Sequence, residues 1–350
     1  MAPKTKRVVR KGRTVKTGTF KAIAKKEAKA QVEKSLKKKM ELKHFDSAEW
    51  RSINPFYIAG NKFSCVGFSS TNNTQPDGGA YQYPSGHNIY QLQALKPFHT
   101  NALDPILRSY SIEGRQCNPL SAKTIFNLQR DPAVNLNVLT QPSNAHTLLP
   151  PDSQTQPLTV AQNCPVICRV IRVTPKLASG INTEPDPAED LFINRYGTEI
   201  GVNSSAMDEF DVFMYGINTR RYKKISDFKF KLNNPYNISW QAVQTPDDHT
   251  GDGRDAHMNF MAQVMPNSSL GVSKDITVYD QLAKKKGGAV YYKDVGDPLV
   301  NNATSGHQRI YTFFHFMYQG ADTVTGQNWN VKAPIDVIIN SNTLSRFTDA

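Results

Sequence analysis

A chain of 350 residues with 39% hydrophobic and 21% charged side chains has enough apolar material for a sizeable core, which excludes global disorder. Of its 42 Lys/Arg and 30 Asp/Glu, residues 1–44 hold 16 bases and three acids, a charge of +13, and the remaining 26 bases and 27 acids sum to −1. Charge segregated to one end points to a polyanionic partner, and with no apolar run of about 18 residues and no apolar N-terminal stretch, neither a membrane span nor a secretory signal is expected.

Residues 1–18 mix Lys and Arg with Gly, Thr and Val, without helical period, and read as a disordered segment. Lys4, Lys6, Arg7, Arg10, Lys11, Arg13 and Lys16 are suited to neutralise phosphates. No aromatic side chain is interleaved among them, so base stacking is not expected and binding should be sequence-tolerant and salt-dependent. KTKRVVRKGR (4–13) also fits a nuclear localisation signal. From Thr19 the composition turns helix-forming. Phe20, Ala24, Ala28, Val32, Leu36 and Met40 recur every four residues and predict one apolar stripe on a helix that also carries Lys21, Lys25, Lys26, Lys29, Lys37, Lys38 and Lys39. Such a helix is marginal alone and is expected to form against nucleic acid or inside an assembly; the alternative is a solvated charged helix, although its signs are not balanced.

Beyond residue 45 the pattern is β. Strands are predicted at 56–68, 107–114, 123–129, 164–175, 210–216, 221–232, 236–243, 257–265, 290–293, 309–319 and 333–340, with clear alternation in CRVIRV and ISDFKFKL. Long polar loops are expected at 70–88, 141–163, 176–190, 244–256 and 296–307, lengths that usually serve function or an interface. Many strands and almost no helical period predict a sandwich or barrel. Cys164 and Cys168, spaced C-x3-C, match neither a redox nor a zinc pattern and are expected as small residues on one buried face.

No phosphate-binding loop, zinc-protease motif or nucleophile elbow is present in the sequence, so no catalytic residue is assigned and the chain is read as a non-enzyme. DDHTGDGRDAH (247–257) lacks calcium-loop spacing and reads as a polar surface loop, with a divalent cation between subunits as the alternative and no other cofactor expected. His315, in an aromatic strand, reads as a satisfied core or interface residue. AKKKGG (283–288) reads as a solvated turn or a second nucleic-acid contact.

MELKHFDS (40–47) between a basic arm and a β-rich body, and NTRRYKKISDFKFKLNN (218–234) with its basic and aromatic residues before a strand, resemble the capsid proteins of small circular single-stranded DNA viruses; SYSIEGRQCNPLSAKTIFNLQ (109–129) adds a weaker match. The length of the body points within that group to the bacilladnavirus branch. The resemblance implies a single viral jelly roll, an eight-stranded antiparallel sandwich, as a shell domain over 45–350 with an internal arm over 1–44, a small projection and a C-terminal tail over 320–350. It implies a virion protein that self-assembles icosahedrally around single-stranded DNA, with Arg220, Arg221, Lys223 and Lys224 as secondary nucleic-acid contacts, and no membrane span. Strand-end solvation or subunit salt bridges are the alternative for those four.

The arm bounds the copy number. At about one charge per nucleotide, about 60 arms offset about 780 nucleotides and about 180 arms about 2,340. Encoding this chain takes about 1,050 nucleotides, so a genome with a second gene favours about 180 copies, a T=3 shell. A capsid of an RNA virus with the same fold, a monomeric cellular nucleic-acid-binding β-protein and a β-sandwich hydrolase are the rival readings. The sequence names no receptor.

Overall fold

A computed structural model describes residues 22–32, 42–46, 49–57, 63–71, 80–95, 116–130, 165–176, 185–233, 236–245, 257–266, 271–292, 303–319, 333–334 and 336–349. Helix α1 covers 22–32. The strands then begin with β1 (Leu42–Asp46), β2 (Trp50–Ile53), β3 (Phe56–Tyr57), β4 (Phe63–Ser69), β5 (Tyr90–Gln91), β6 (Gln116–Arg130) and β7 (Val166–Pro175). A compact stretch follows, with α2 (Pro187–Asp190), β8 (Phe192–Ile193), β9 (Glu199–Ile200), α3 (Glu209–Met214) and β10 (Gly216–Ile217). The chain continues through β11 (Tyr222–Leu232), β12 (Tyr236–Thr245), β13 (His257–Pro266), β14 (Ser273–Asp280), β15 (Val290–Tyr292), β16 (Ala303–Ser305), β17 (Tyr311–Tyr318) and β18 (Val337–Asp349).

These strands make an all-β sandwich of antiparallel sheets, the class the sequence predicts. In the first sheet β1 and β2 flank β18, β18 pairs β6, and β6 pairs β14 and β15. In the second, β4 pairs β17, β17 pairs β7 and β7 pairs β11. With β12 and β13 set aside, β1 and β2 counted as one strand and β14 and β15 as another, eight long strands remain in the two sheets. Numbered along the chain, they pair first with eighth, second with seventh, third with sixth and fourth with fifth, as in a long hairpin. Rolling that hairpin up adds the contacts of eighth with third and seventh with fourth, and the orders 1-8-3-6 and 2-7-4-5 result. β12 and β13 form a separate two-stranded ribbon between β11 and β14.

The core between the sheets follows from alternation. On β6, Ala122, Thr124, Phe126, Leu128 and Arg130 are buried while Ile125 and Gln129 between them are exposed. Phe126 meets Phe68 of the facing sheet at 5.2 Å and Phe314 at 5.1 Å between ring centroids, both edge-to-face. β17, by contrast, is buried at all eight positions. Phe314, Phe316 and Tyr318 face the first sheet, whereas Phe313 and Met317 pack under residues of 185–217 and the segment holding Tyr81, Tyr83 and Ile89. A sheet covered on both faces needs apolar residues at every position, so YTFFHFMY carries no period of two. Cys65, Cys117 and Cys168 are buried free thiols, and Cys168 occupies the inward face expected of it; Cys164 lies outside the described residues.

The structure corrects several expectations. The segment 210–216 is not a strand: Asp208 accepts a hydrogen bond from the Asp211 amide at 2.8 Å and caps α3, with Glu209 and Asp211 in its first turn. A seven-residue stretch that is apolar but for one acid does not by itself separate a strand from a helical turn. The C-terminal stretch does not run on as a tail, because β18 lies between β1 and β6 at the centre of the first sheet. Ser341, Thr343 and Ser345 fill its inward positions, and these small hydroxyls hide the alternation from a hydropathy reading. β14 was not predicted at all, since Asp280 takes one of its inward positions beside Ile276 and Val278. The expected polar loop 70–88 also sends Tyr81 and Tyr83 into the core. The predicted strand 107–114, the loop 141–163 and all but the last residue of 247–257 lie outside the described residues.

The cover on the second sheet depends on one close approach. A Cβ on Gly201 would lie 2.0 Å from the Ala188 carbonyl oxygen and 2.5 Å from the Glu189 Cα, both backbone atoms of α2. Gly201→Ala is therefore expected to push α2 away and cost about 1–3 kcal/mol, read as a lower denaturant midpoint.

Candidate nucleic-acid interface

Of the cationic arm, the described parts are α1 and residues 42–44 of β1; every residue of α1 is exposed. Lys25 and Lys29 lie one turn apart on one side with Lys26 beside them. Ile23 and Val32 are 46% and 58% exposed, so the apolar stripe has no cover from the described body. Residues 1–21 and 33–41, which carry the other arm lysines and arginines except Lys43 in β1, lie outside the described residues.

The four body positions do not behave alike. Arg220, Lys223 and Lys224 are exposed at the start of β11. Arg221 instead turns inward, with its Nε 3.3 Å from Glu199 and 3.6 Å from Asp190. The Tyr222 hydroxyl donates to the same Asp190 carboxylate at 2.5 Å. Burial pushes the Asp190 carboxyl up to about 6, against the opposing pull of Tyr222 and Arg221. Arg221 thus ties β11 to the 185–217 cover by an ion pair within the chain. Lys229 and Lys231, which the sequence reading passed over, are exposed further along β11. Their signal was the alternation KFK in a strand at the edge of its sheet. Four lysines on one edge also discourage unwanted strand pairing. Lys284, Lys285 and Lys286 are exposed in the turn after β14.

The large cations inside the body hold the fold. Arg169 makes a two-pronged contact with Asp227, at 2.9 and 2.8 Å, and donates to the Val212 carbonyl at 2.6 Å. Burial would raise the Asp227 carboxyl, but the Arg169 guanidinium outweighs it and holds the group below its usual range. Arg172 pairs with Asp280 across the two sheets, and Arg130 pairs with Asp336.

His315 is fully buried as expected, and its Nε2 shares a hydrogen bond with the Tyr83 hydroxyl. Its neighbour across the sheet is Cys65. Burial raises the Cys65 thiol and, with help from the Arg169 charge, holds His315 down at about 3, so the pair stays neutral and closed to water. Because the unfolded imidazole titrates near 6.5, the folded state loses stability as pH falls from about 6.5 towards 3, by at most about 1.4 kcal/mol per pH unit. Asp190 acts in the opposite sense between about 6 and 3.8. Replacing His315 by Gln should therefore reduce stability less at about pH 4 than at about pH 7, which melting curves at the two values will read.

Among the described residues no three His, Cys, Asp or Glu side chains converge as a metal site, and no helix is long and apolar enough to cross a membrane. No protein-family model matches the chain, and no curated protein matches it.

Proposed function

We propose that this protein is a viral capsid protein: a jelly-roll subunit that assembles with many copies of itself into an icosahedral shell and packages single-stranded DNA through its N-terminal arm. The observation that carries the reading is the division of charge, +13 on the first 44 residues and −1 on the rest. A wall of many identical subunits is best near neutral, while the polyanion inside needs counterions supplied from within. The rolled-hairpin strand order supports the jelly roll, an arrangement whose sheet faces and loops suit shell building. On this reading the protein belongs to the virion, and the basic cluster at 4–13 supports a stage in the host nucleus during assembly.

Electron microscopy of the expressed protein, with absorbance at 260 and 280 nm on the same fractions, tests this. Closed shells rich in nucleic acid are expected, with a diameter appropriate to about 180 copies. A monomer that binds nucleic acid would replace the reading with a cellular binding protein, and a monomer without that affinity would overturn both. Sequencing the packaged strand separates a DNA genome from an RNA one.

A further inference from the structure

Among the described residues, the second sheet is covered on both faces and the first on only one. The outward face of the first sheet is ordered by its registers. Leu344, Lys123 and Tyr279 form one row across β18, β6 and β14, and Asn342 and Ile125 lie in the next. Ile125, Leu344 and Tyr279 are 36%, 44% and 71% exposed. Between β2, β6 and β18 this face sinks into a groove of about 460 Å³ whose lining includes Trp50, Lys123, Ile125, Asn127, Asn342 and Leu344.

The groove is firm and its charge is one-sided. The Trp50 Nε1 donates to the Gln91 carbonyl at 2.7 Å, and the indole packs edge-on to Tyr90 at 5.0 Å, which fixes one wall. Glu49 on the rim is offset by Arg51 at 3.0 Å and by the Asn342 amide at 2.8 Å. Asp275 accepts from the Asn127 amide at 2.6 Å. Lys123 has no ion-pair partner among the described residues. The groove thus offers a cation, an apolar floor and side-chain amides within a volume typical of small-ligand sites.

We propose that this groove seats one nucleotide of the single-stranded DNA held by the arm, with the base over Ile125 and Leu344 against Trp50 and the phosphate at Lys123. The inference rests on the packaging role proposed above. Two observations favour nucleic acid over other occupants. Lys123 on the groove and Arg346 nearby on β18 repel the basic α1 and attract a phosphate. The arm joins the body at β1, on the edge of this same sheet, and the link 33–41 spans at most about 30 Å. The polyanion that the arm gathers is therefore held close to this face.

The test uses the full-length chain and two fluorescent strands of equal length, oligothymidylate and its abasic counterpart. The arm contacts phosphates and binds both alike. The groove adds a preference for the base-bearing strand, expected at about tenfold and more visible as salt weakens the phosphate contacts. Lys123→Glu combined with Leu344→Glu should reduce that preference to about one while binding of the abasic strand persists. Both positions point outward, and Asn342→Asp, nearly isosteric, provides a second variant if the sheet is disturbed. Equal binding of the two strands by the wild-type chain, or a preference that survives the substitutions, overturns the groove and leaves the packaging role standing. Loss of shell closure in the double variant with the base preference intact also overturns it, because the face is then a contact between copies. Failure of the wild-type chain to bind either strand removes the packaging role itself.

Discussion

A chain whose 16 arm lysines and arginines are replaced by glutamine is expected to lose at least about a thousandfold in affinity for single-stranded DNA at near-physiological salt. The physical basis is counterion release. Each phosphate neutralised by a cation frees a condensed ion, and on a single strand each contact contributes about 0.7 to the slope of log affinity against log salt. An arm of +13 next to a body of −1 concentrates nearly all such contacts in its first 44 residues. The substituted chain should therefore show both weaker binding and a nearly flat salt dependence. Fluorescence anisotropy across a salt series reads both quantities. The body should melt as before, since every residue of α1 is exposed, and glutamine at Lys43 keeps the backbone pairing of β1 with β18. A glutamine arm that still packaged a full-length genome would sink the assigned role.

The largest loss of stability is expected from Asp336→Ala, at about 3–5 kcal/mol. The side chains of Arg130 and Asp336 are 0% and 1% exposed. The Arg130 Nε donates to Asp336 at 2.7 Å, the Tyr318 hydroxyl donates to the other carboxylate oxygen at 2.9 Å, and the guanidinium lies 5.9 Å from the Tyr318 ring centroid. Removing the carboxylate takes the Asp336 charge away from a buried cation whose hydration cannot be recovered. The paired substitution Arg130→Met with Asp336→Leu removes both charges and should cost far less, because neither desolvated ion remains. Denaturant unfolding of the two variants beside the parent decides between a buried pair and a hydrated one. Equal losses in both variants would show that the ion pair itself, and not the orphaned charge, is the stabilising element.

The sequence made parts of this architecture legible for identifiable reasons. CRVIRV alternates, and β7 lies where it predicts. The aromatic run 309–319 contains β17, since a strand apolar on both faces is still an apolar run. The arm was legible because charge needs no partner to be counted. The body sites were less so. Arg221 belongs to the same basic cluster as Arg220, Lys223 and Lys224, yet it alone turns towards Asp190 and Glu199, partners 31 and 22 residues away in the chain. The groove on the first sheet could not be anticipated, because it draws on β2, β6 and β18, from opposite ends of the sequence.

By itself the sequence determined that this is a β-rich chain with a neutral body and a strongly cationic arm, and these are properties of composition and short-range period. Only the tertiary structure decided that 209–214 is helical, that β18 is a central strand, that one sheet is covered twice, and which arginines face carboxylates. Side-chain alternation repeats every two residues and is visible locally. Buried charge pairs join positions such as Arg130 and Asp336, 206 residues apart, and strand order joins the two ends of the body, as Leu42 to Thr348; both are fixed only when the sheets close on each other.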